Sequence, residues 1–165
     1  LGDVALAQAR YVDAAERYEQ ALPIYRQIGA RLGEANAIRA LGEVARMQAR
    51  YVDAAERYEQ ALPIYRQIGD RLGEASAIQA LGEVALAQAR YVDAAERYEQ
   101  ALPIYRQIGA RLGEANTLVS RARLAHRTGE SSKAAADMGA AVRIYRSVGL
   151  THWAETFEAE AATWS

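Results

Sequence analysis

The sequence has no cysteine, and several other residue types are scarce: its 165 residues include one phenylalanine, two tryptophans, two histidines and three prolines. Without cysteine the chain forms neither disulfides nor thiolate metal sites, which fits a reducing compartment, so we expect a cytoplasmic location. No apolar run approaches the length of a membrane span and the N-terminus has no signal-like pattern, so we expect a soluble fragment. A formal net charge of −1 gives no reason to expect nucleic acid or a membrane surface as partner.

Residue patterns typical of catalytic and metal sites are also missing. His126 and His152 fall on different predicted helices and lack the spacing of metal ligands. Carboxylates such as Glu19 and Glu34 recur once in every copy of a repeat, and a charge repeated in this way is typical of a solvated face. Identical repeats do not supply the unlike environments that paired acid and base groups need. We therefore predict no enzyme activity, no cofactor and no metal site.

What the chain does contain is a period of 40 residues. Within it the block YVDAAERYEQALPIYRQIG recurs letter for letter at residues 11–29, 51–69 and 91–109. The predicted organisation is a single repeat array over residues 1–165, with three nearly superimposable copies, a degenerate fourth copy and a C-terminal capping helix, at residues 1–40, 41–80, 81–120, 121–150 and 151–165. A repeat of this length predicts stacked units that bury their apolar faces against one another.

Each copy predicts two antiparallel helices. In the first, from Val12 to Ile28, apolar residues are spaced by alternating steps of four and three, which places them on one stripe: Ala14, Tyr18, Ala21, Tyr25 and Ile28. Gly29 then suits a left-handed helix cap. The second helix runs from Arg31 to about Gln48, and its apolar side includes Leu32. Gly42 lies on or beside this seam, where a missing side chain lets a neighbouring helix approach closely.

Two kinds of residue depart from a regular helix pattern. Pro23, Pro63 and Pro103 fall inside the first helix of their copies, and we predict that they face solvent and add a modest kink. Gly129 stands where the other copies have alanine at the turn between helices, so the turn of the fourth copy should be more regular.

The two ends of the chain leave alternatives open. Leu1 aligns with positions in the middle of a helix, so either the chain is a piece of a longer array or its first helix is short and leaves the helix from Val12 partly uncovered. At the other end Thr151 can cap a last helix that carries Trp153 and Phe157. These aromatic residues fit a hydrophobic cap for the last repeat, with an exposed aromatic contact site as the alternative.

The spacing Ile38-x2-Leu41-Gly42-x2-Ala45, followed by Ala54-x3-Tyr58 and Ala61, resembles the tetratricopeptide repeat. The resemblance covers nearly the whole chain, and the 40-residue length is similar to the long repeats of kinesin light chains, spindle-orientation adaptors and bacterial regulators. It implies an all-α, right-handed α-solenoid of antiparallel helix pairs, a tetratricopeptide-like superhelix. Ile38 and Ala45 stand where the family pattern has aromatic residues, which thins the predicted packing.

The resemblance also implies a site, because the helix of each pair that corresponds to Arg31–Gln48 lines the concave groove of such a superhelix. The implied groove residues include most of the positions that differ between copies. They are Asn36, Arg39, Glu43, Arg46, Met47, Ser76, Gln79, Glu83, Leu86, Asn116, Val119, Arg123, His126 and Arg127. Variation on this face suits a tuned binding surface, while drift at solvent-exposed sites predicts much the same pattern.

The expected function is a protein-protein interaction scaffold that binds a protein or peptide segment in the groove. Arg123, His126 and Arg127 gather at one end, so an acidic segment or chain carboxylate is the expected ligand there. The carboxylate clamp of chaperone-binding relatives needs asparagine where this chain has Glu43 and Glu83, which disfavours chaperone tails. The alternatives are a homo-oligomer that stacks head to tail through open repeat ends, and a consensus-like scaffold without a ligand.

Overall fold

The computed structural model describes the backbone of residues 2–164 and the side chains of residues 11–164. Over this range the chain forms eight α-helices and no strand. In chain order these are α1 (Gly2–Gln27), α2 (Arg31–Met47), α3 (Tyr51–Ile68), α4 (Arg71–Ala87), α5 (Tyr91–Gln107), α6 (Arg111–Arg127), α7 (Ser131–Ser147) and α8 (Thr151–Ala162). Turns of two or three residues join them, so consecutive helices fold back on one another as helical hairpins.

The chain divides into two units, Leu1–Val84 and Ala85–Ser165, with the boundary inside α4. In the first unit α2 packs against both α1 and α3. In the second unit α6 packs against α5 and α7, and α7 packs against α8. The prediction of a single array over residues 1–165 stays a prediction.

The turns between helices use left-handed backbone, as expected for Gly29. This glycine has a φ of 69°, and the backbone N–H of Ala30 reaches back to the carbonyl of Tyr25 at 2.9 Å, which satisfies a free helix carbonyl. Gly129 has a φ of 80° at the turn where Ala49 and Ala89 are held at 57°. All three positions adopt the left-handed region, in which alanine carries a steric penalty that glycine does not. The more regular turn of the fourth copy stays a prediction.

The first helix is longer than expected. It begins at Gly2 and passes through Ala9, the position at which the second and third copies make a turn. A turn there requires alanine in the left-handed region, at a cost of roughly 1–2 kcal/mol. At Ala49 the packing of α2 on α3 offsets that cost, so equivalent positions form a turn in one copy and continue a helix in another.

The core of the first unit is built on tyrosines from the repeated block. Tyr58 and Tyr65 of α3 are fully buried. Gly42 of α2 lies against the ring of Tyr58, and a Cβ atom at that position would lie 2.8 Å from the ring. The expected close approach at Gly42 is thus confirmed. On α1 the equivalent Tyr18 is 39% exposed, whereas Tyr58 is 0% exposed.

In the second unit the buried residues form two clusters. The smaller joins Ala85, Ala94, Tyr98 and Leu124, with the half-buried Leu86 against it. The larger is built by α5, α6, α7 and α8 around Leu102, Leu118, Met138, Tyr145 and Phe157. These clusters hold α6 in place through its buried face, which leaves its opposite face to present side chains.

Two apolar residues lie outside the predicted stripe. Ile28 is 67% exposed and Leu32 is 50% exposed, and their equivalents in the next two copies are exposed as well. Ile28 follows the end of α1 and occupies the turn, so it no longer continues the helical stripe. The assignment of these positions to the buried face was wrong.

The carboxylate of Glu34 corrects a second expectation. Glu34, Glu74 and Glu114 are all buried. Glu74 accepts a hydrogen bond of 2.9 Å from Arg66 and pairs with Arg71, and the other two carboxylates have the equivalent arginine partners. This charge recurs because it clamps the turn between the two helices of each copy, at α1–α2, α3–α4 and α5–α6. It does not mark a solvated face.

The prolines and the last helix agree in part with expectation. Pro23, Pro63 and Pro103 lie inside α1, α3 and α5 and are exposed, as predicted, while the kink stays a prediction. In α8 the cap residue is Leu150, so the prediction of a Thr151 cap was wrong. Phe157 is buried, as expected of a hydrophobic cap, whereas Trp153 is 50% exposed and does not fit that expectation.

Candidate partner-binding surface

The face of α2 that the sequence singled out presents side chains to solvent. Asn36 and Met47 are exposed, and Arg39, Glu43 and Arg46 are half-buried. They recur at helical spacing, opposite the residues that pack on the neighbouring helices. In the first unit these five positions therefore form one surface, polar except for Met47, which we call the α2 face.

Two buried tyrosines of α3 donate hydrogen bonds to residues of the α2 face. The hydroxyl of Tyr65 donates to the side-chain oxygen of Asn36 at 2.8 Å, and the hydroxyl of Tyr58 donates to Glu43 at 2.9 Å. Burial raises the pKa of Tyr58, and the neighbouring Glu43 carboxylate raises it further. Sequence analysis assigned these tyrosines to packing alone, although a buried tyrosine hydroxyl usually needs a partner.

An ion network connects the polar side chains of the α2 face to α4. Arg46 donates two hydrogen bonds to Glu43, of 3.1 and 2.5 Å, and lies 3.8 Å from Glu83. Burial disfavours the charged form of Glu43, but hydrogen bonds from Arg46 and Tyr58 outweigh it and hold the pKa of this carboxyl below its ordinary value. The hydrogen bonds between Arg46 and Glu43 also stabilise the charged form of Arg46 and therefore raise its pKa.

The predicted α4 residues fall on both sides of the unit boundary. Ser76, Gln79 and Glu83 are half-buried in the first unit, where Gln79 donates to Glu83 at 3.1 Å. Leu86 belongs to the second unit and packs against its smaller core cluster. Each residue is therefore assigned to the surface of its own unit.

On α6 the predicted residues separate into three environments. Asn116 is exposed and accepts a hydrogen bond from the hydroxyl of Tyr145, which repeats the pairing of Asn36 with Tyr65. Val119, by contrast, is buried in the larger core cluster. It has no polar head group to hold in water, unlike the Arg39 and Gln79 that occupy its position in other copies. Val119 therefore cannot contact a partner, and its assignment to the surface is corrected.

The basic end of α6 is already in contact with α8. Arg123 donates two hydrogen bonds to Glu160, of 2.6 and 2.7 Å, and its guanidinium lies 5.6 Å from the centre of the Phe157 ring. The ring of His126 stacks on Trp164 with centroids 4.7 Å apart. Arg127 is exposed at the end of the helix. We call Asn116, Arg123, His126 and Arg127 the α6 face.

A second pair on α6 was not anticipated. Arg121 and Asp137 on α7 form two parallel hydrogen bonds, of 2.7 and 2.6 Å, and Asp137 is buried. Their equivalents in the preceding copy are Leu81 and Arg97. The hydrogen bond with Asp137 raises the pKa of Arg121. The sequence did contain a sign of this pair, because Arg121 stands at a position that is apolar in the preceding copy.

The described residues form neither a metal-binding cluster nor a membrane-spanning helix. Among residues whose side chains are described, no group of three or more histidines, cysteines, aspartates or glutamates is placed to hold a metal ion. Within the same part of the chain, no helix combines the length and apolar character that crossing a bilayer would demand.

Paired α-helices joined by short turns, with a repeat of 40 residues and a glycine against the tyrosine of the following helix, define a helical-repeat protein of the solenoid class. The family model described as tetratricopeptide repeat matches residues 1–67, 34–107 and 74–147. The chain belongs to the tetratricopeptide repeat family, and the expected all-α fold class is confirmed.

Solved structures agree with this assignment. Fifty-six chains of known structure match. One is the crystal structure of BtubC (BKLC) from P. vanneervenii, which superimposes with a TM-score of 0.75 at 16% identity and covers 99% of this chain and 76% of that chain. At this identity the likeness concerns the fold. No curated protein matches the chain.

Proposed function

We propose that this chain is a scaffold for protein-protein interaction, in which the α2 face and the α6 face each hold a segment of a partner protein or peptide. Tetratricopeptide repeats generally mediate protein-protein interaction or scaffolding, and this supports binding as the function. The proposal includes no catalytic role. A cytoplasmic location is part of the same proposal and is supported by the lack of cysteine.

The observation that carries the proposal is the recurrence of an asparagine held by a tyrosine. Asn36 and Asn116 are both exposed, and the side-chain oxygen of each accepts a hydrogen bond from a buried tyrosine of the next helix. With the oxygen engaged, the amide nitrogen with its two N–H groups is the end that meets a ligand. A donor fixed in this way loses little conformational freedom when it binds the carbonyl groups of a peptide.

Charged residues near each asparagine would give the faces different preferences. The α2 face combines Glu43 and Arg46, so it offers both signs of charge within one network. The α6 face ends in Arg123, His126 and Arg127. An acidic segment of the partner is the chemistry that suits the α6 face, because arginine binds carboxylates through charge-assisted paired hydrogen bonds.

The test uses peptides selected from a random phage-displayed library on the unmodified chain. Asn36→Ala and Asn116→Ala, combined, should weaken the selected peptides at least about tenfold, which corresponds to about 1.4 kcal/mol. Gln60→Ala with Gln100→Ala is the matched control, because these exposed amides lie on α3 and α5 and belong to neither face. Equal binding by the asparagine variant and the control would refute the proposal.

Head-to-tail self-assembly is the second candidate, and the exposed apolar face of α1 favours it. Tyr18 and Ile24 are exposed there, whereas Tyr58 and Ile64 are buried on α3. In head-to-tail stacking, α8 of one molecule would have to pack on α1 of the next as α2 packs on α3. The helix α8 matches this face poorly. It has Ala162 where α2 has Gly42, and a Cβ at Gly42 would collide with the tyrosine ring.

Light scattering over a hundredfold range of concentration decides between the two candidates. A constant molar mass is the expected result under the binding proposal. A mass that grows with concentration, and that returns to the monomer value in a Tyr18→Glu variant, would make self-assembly the function instead.

A further inference from the structure

We propose that the end of α8 is an intramolecular competitor at the α6 face: the carboxylate of Glu160 occupies the place at Arg123 that the acidic group of a partner would take. We call Glu160 and Trp164 the latch. This inference rests on the proposed function of the α6 face and adds a regulatory element to it.

The geometry at Arg123 is that of a bound carboxylate. Two parallel hydrogen bonds of 2.6 and 2.7 Å join the guanidinium to both oxygens of Glu160. The ring of Phe157 lies 5.6 Å from the guanidinium carbon and completes the contact. Arginine offers a carboxylate of a partner the same fork, so the two carboxylates compete for one set of donors.

The second contact of the latch covers the neighbouring residue. The rings of His126 and Trp164 lie nearly parallel, with an angle of 10° between their planes and 4.7 Å between their centroids. One turn of helix from Arg123, His126 is therefore covered by the same end of α8. Two of the three basic side chains expected to bind an acidic segment are engaged by the latch.

The other copies show that the repeat does not need this pair. Glu43 and Glu83 occupy the position of Arg123, and Ala40, Ala80 and Ser120 occupy that of Glu160. In the first unit the equivalent positions are Glu43 on α2 and Ala80 on α4, which cannot form such an ion pair because alanine carries no charge. The Arg123–Glu160 contact is thus an addition to the repeat fold and not a condition for it.

The latch follows the buried part of α8. Ala154 and Phe157 are buried and anchor the first part of α8, and the helix ends at Ala162. Glu160 lies in the last turn, and Trp164 lies just after it, partly buried against the larger core cluster. Opening the latch gives up this partial burial but leaves Phe157 in the core, and a terminal turn frays more readily than the rest of a helix.

The experiment measures binding of a fluorescein-labelled octaglutamate peptide to the full chain by fluorescence anisotropy, at low and at physiological salt. Glu160→Gln should bind the peptide at least about fivefold more tightly than the unmodified chain, and adding Arg123→Gln should remove the gain. Glu158→Gln is the matched control. This glutamate is on the same helix and pairs with Arg146 at 2.6 Å, outside the α6 face, so it should bind as the unmodified chain does.

Trp164→Ala should act in the same direction as Glu160→Gln, because it removes the second contact, and thermal unfolding confirms that each variant is folded. If both latch variants bind octaglutamate no better than Glu158→Gln, the inference is overturned. That outcome leaves the proposed function standing when selected peptides still depend on Asn36 and Asn116. A gain in the latch variants with no effect of the asparagine changes supports the latch and refutes the broader proposal.

Discussion

Arg121 on α6 and Asp137 on α7 are joined by two hydrogen bonds at a site where the preceding copy has an apolar residue. The carboxylate is buried and the guanidinium is mostly buried. A charge in this position is stable only with its partner, since removing one member of a buried pair leaves the other uncompensated.

Asp137→Ala should therefore lower the free energy of unfolding by about 3 kcal/mol. Asp93→Ala is the control, because Asp93 pairs with Arg90 at the surface, where such a pair contributes at most about 1 kcal/mol. Urea denaturation of both variants measures the difference. Equal losses in the two would show that Arg121 is solvated and that its pairing adds nothing.

The turns at Ala49 and Ala89 should be improved by glycine. Both alanines have a φ of 57°, a region in which a Cβ is strained. Ala49→Gly or Ala89→Gly should raise the free energy of unfolding by roughly 0.5–1 kcal/mol each, and the reverse change Gly129→Ala should lower it by a similar amount. Thermal unfolding provides the measurement. A loss of stability in both glycine variants contradicts the prediction.

Gly42 and Gly139 should respond to alanine in opposite directions. A Cβ at Gly42 would lie 2.8 Å from the ring of Tyr58, whereas a Cβ at Gly139 would meet only a side-chain nitrogen of Arg143, at 3.5 Å. Gly42→Ala should cost about 1–3 kcal/mol through overpacking, while Gly139→Ala should gain up to about 1 kcal/mol of helix propensity. The comparison, made by urea denaturation, fails if both variants gain stability.

The network at Glu43 should make stability depend on pH. The pKa of Glu43 is lowered in the folded chain, so its contribution is fully present above the pKa of the unfolded state and is lost as the pH falls through the folded value. The stability difference between the unmodified chain and Glu43→Gln should shrink as the pH falls from about 6 to about 3. Denaturation at a series of pH values measures this trend. A difference that grows on acidification contradicts it.

The fold class could be predicted from the sequence because the chain repeats one block within itself. An exact block in three copies, with Gly42 on the apolar seam, implies helical hairpins that stack, and the cap at Gly29 followed from local stereochemistry. Periodicity identified the buried stripe but not its ends. Ile28 was misplaced because a turn ends the helix one residue before it.

The site was predicted less completely, because its features depend on pairs of residues from different helices. The face of α2 followed from the resemblance, yet the bond from Tyr65 to Asn36 joins residues 29 positions apart. The burial of Val119 depends on the neighbours that its helix meets in the folded unit. The engagement of Arg123 depends on a residue 37 positions later. No local pattern carries such information.

Residues 2–10 and 82–90 differ at a single position, Asp3 in one and Glu83 in the other, yet the first segment continues into a long helix and the second leads into a turn at Ala89. Two segments that share eight of nine residues thus have different backbone conformations within one molecule. The local sequence does not determine whether this segment forms a turn, and the neighbouring helices impose the turn. The turns of this chain are therefore set by helix packing. A change that loosens the packing of α4 should let the helix continue through Ala89 before the helices on either side unfold.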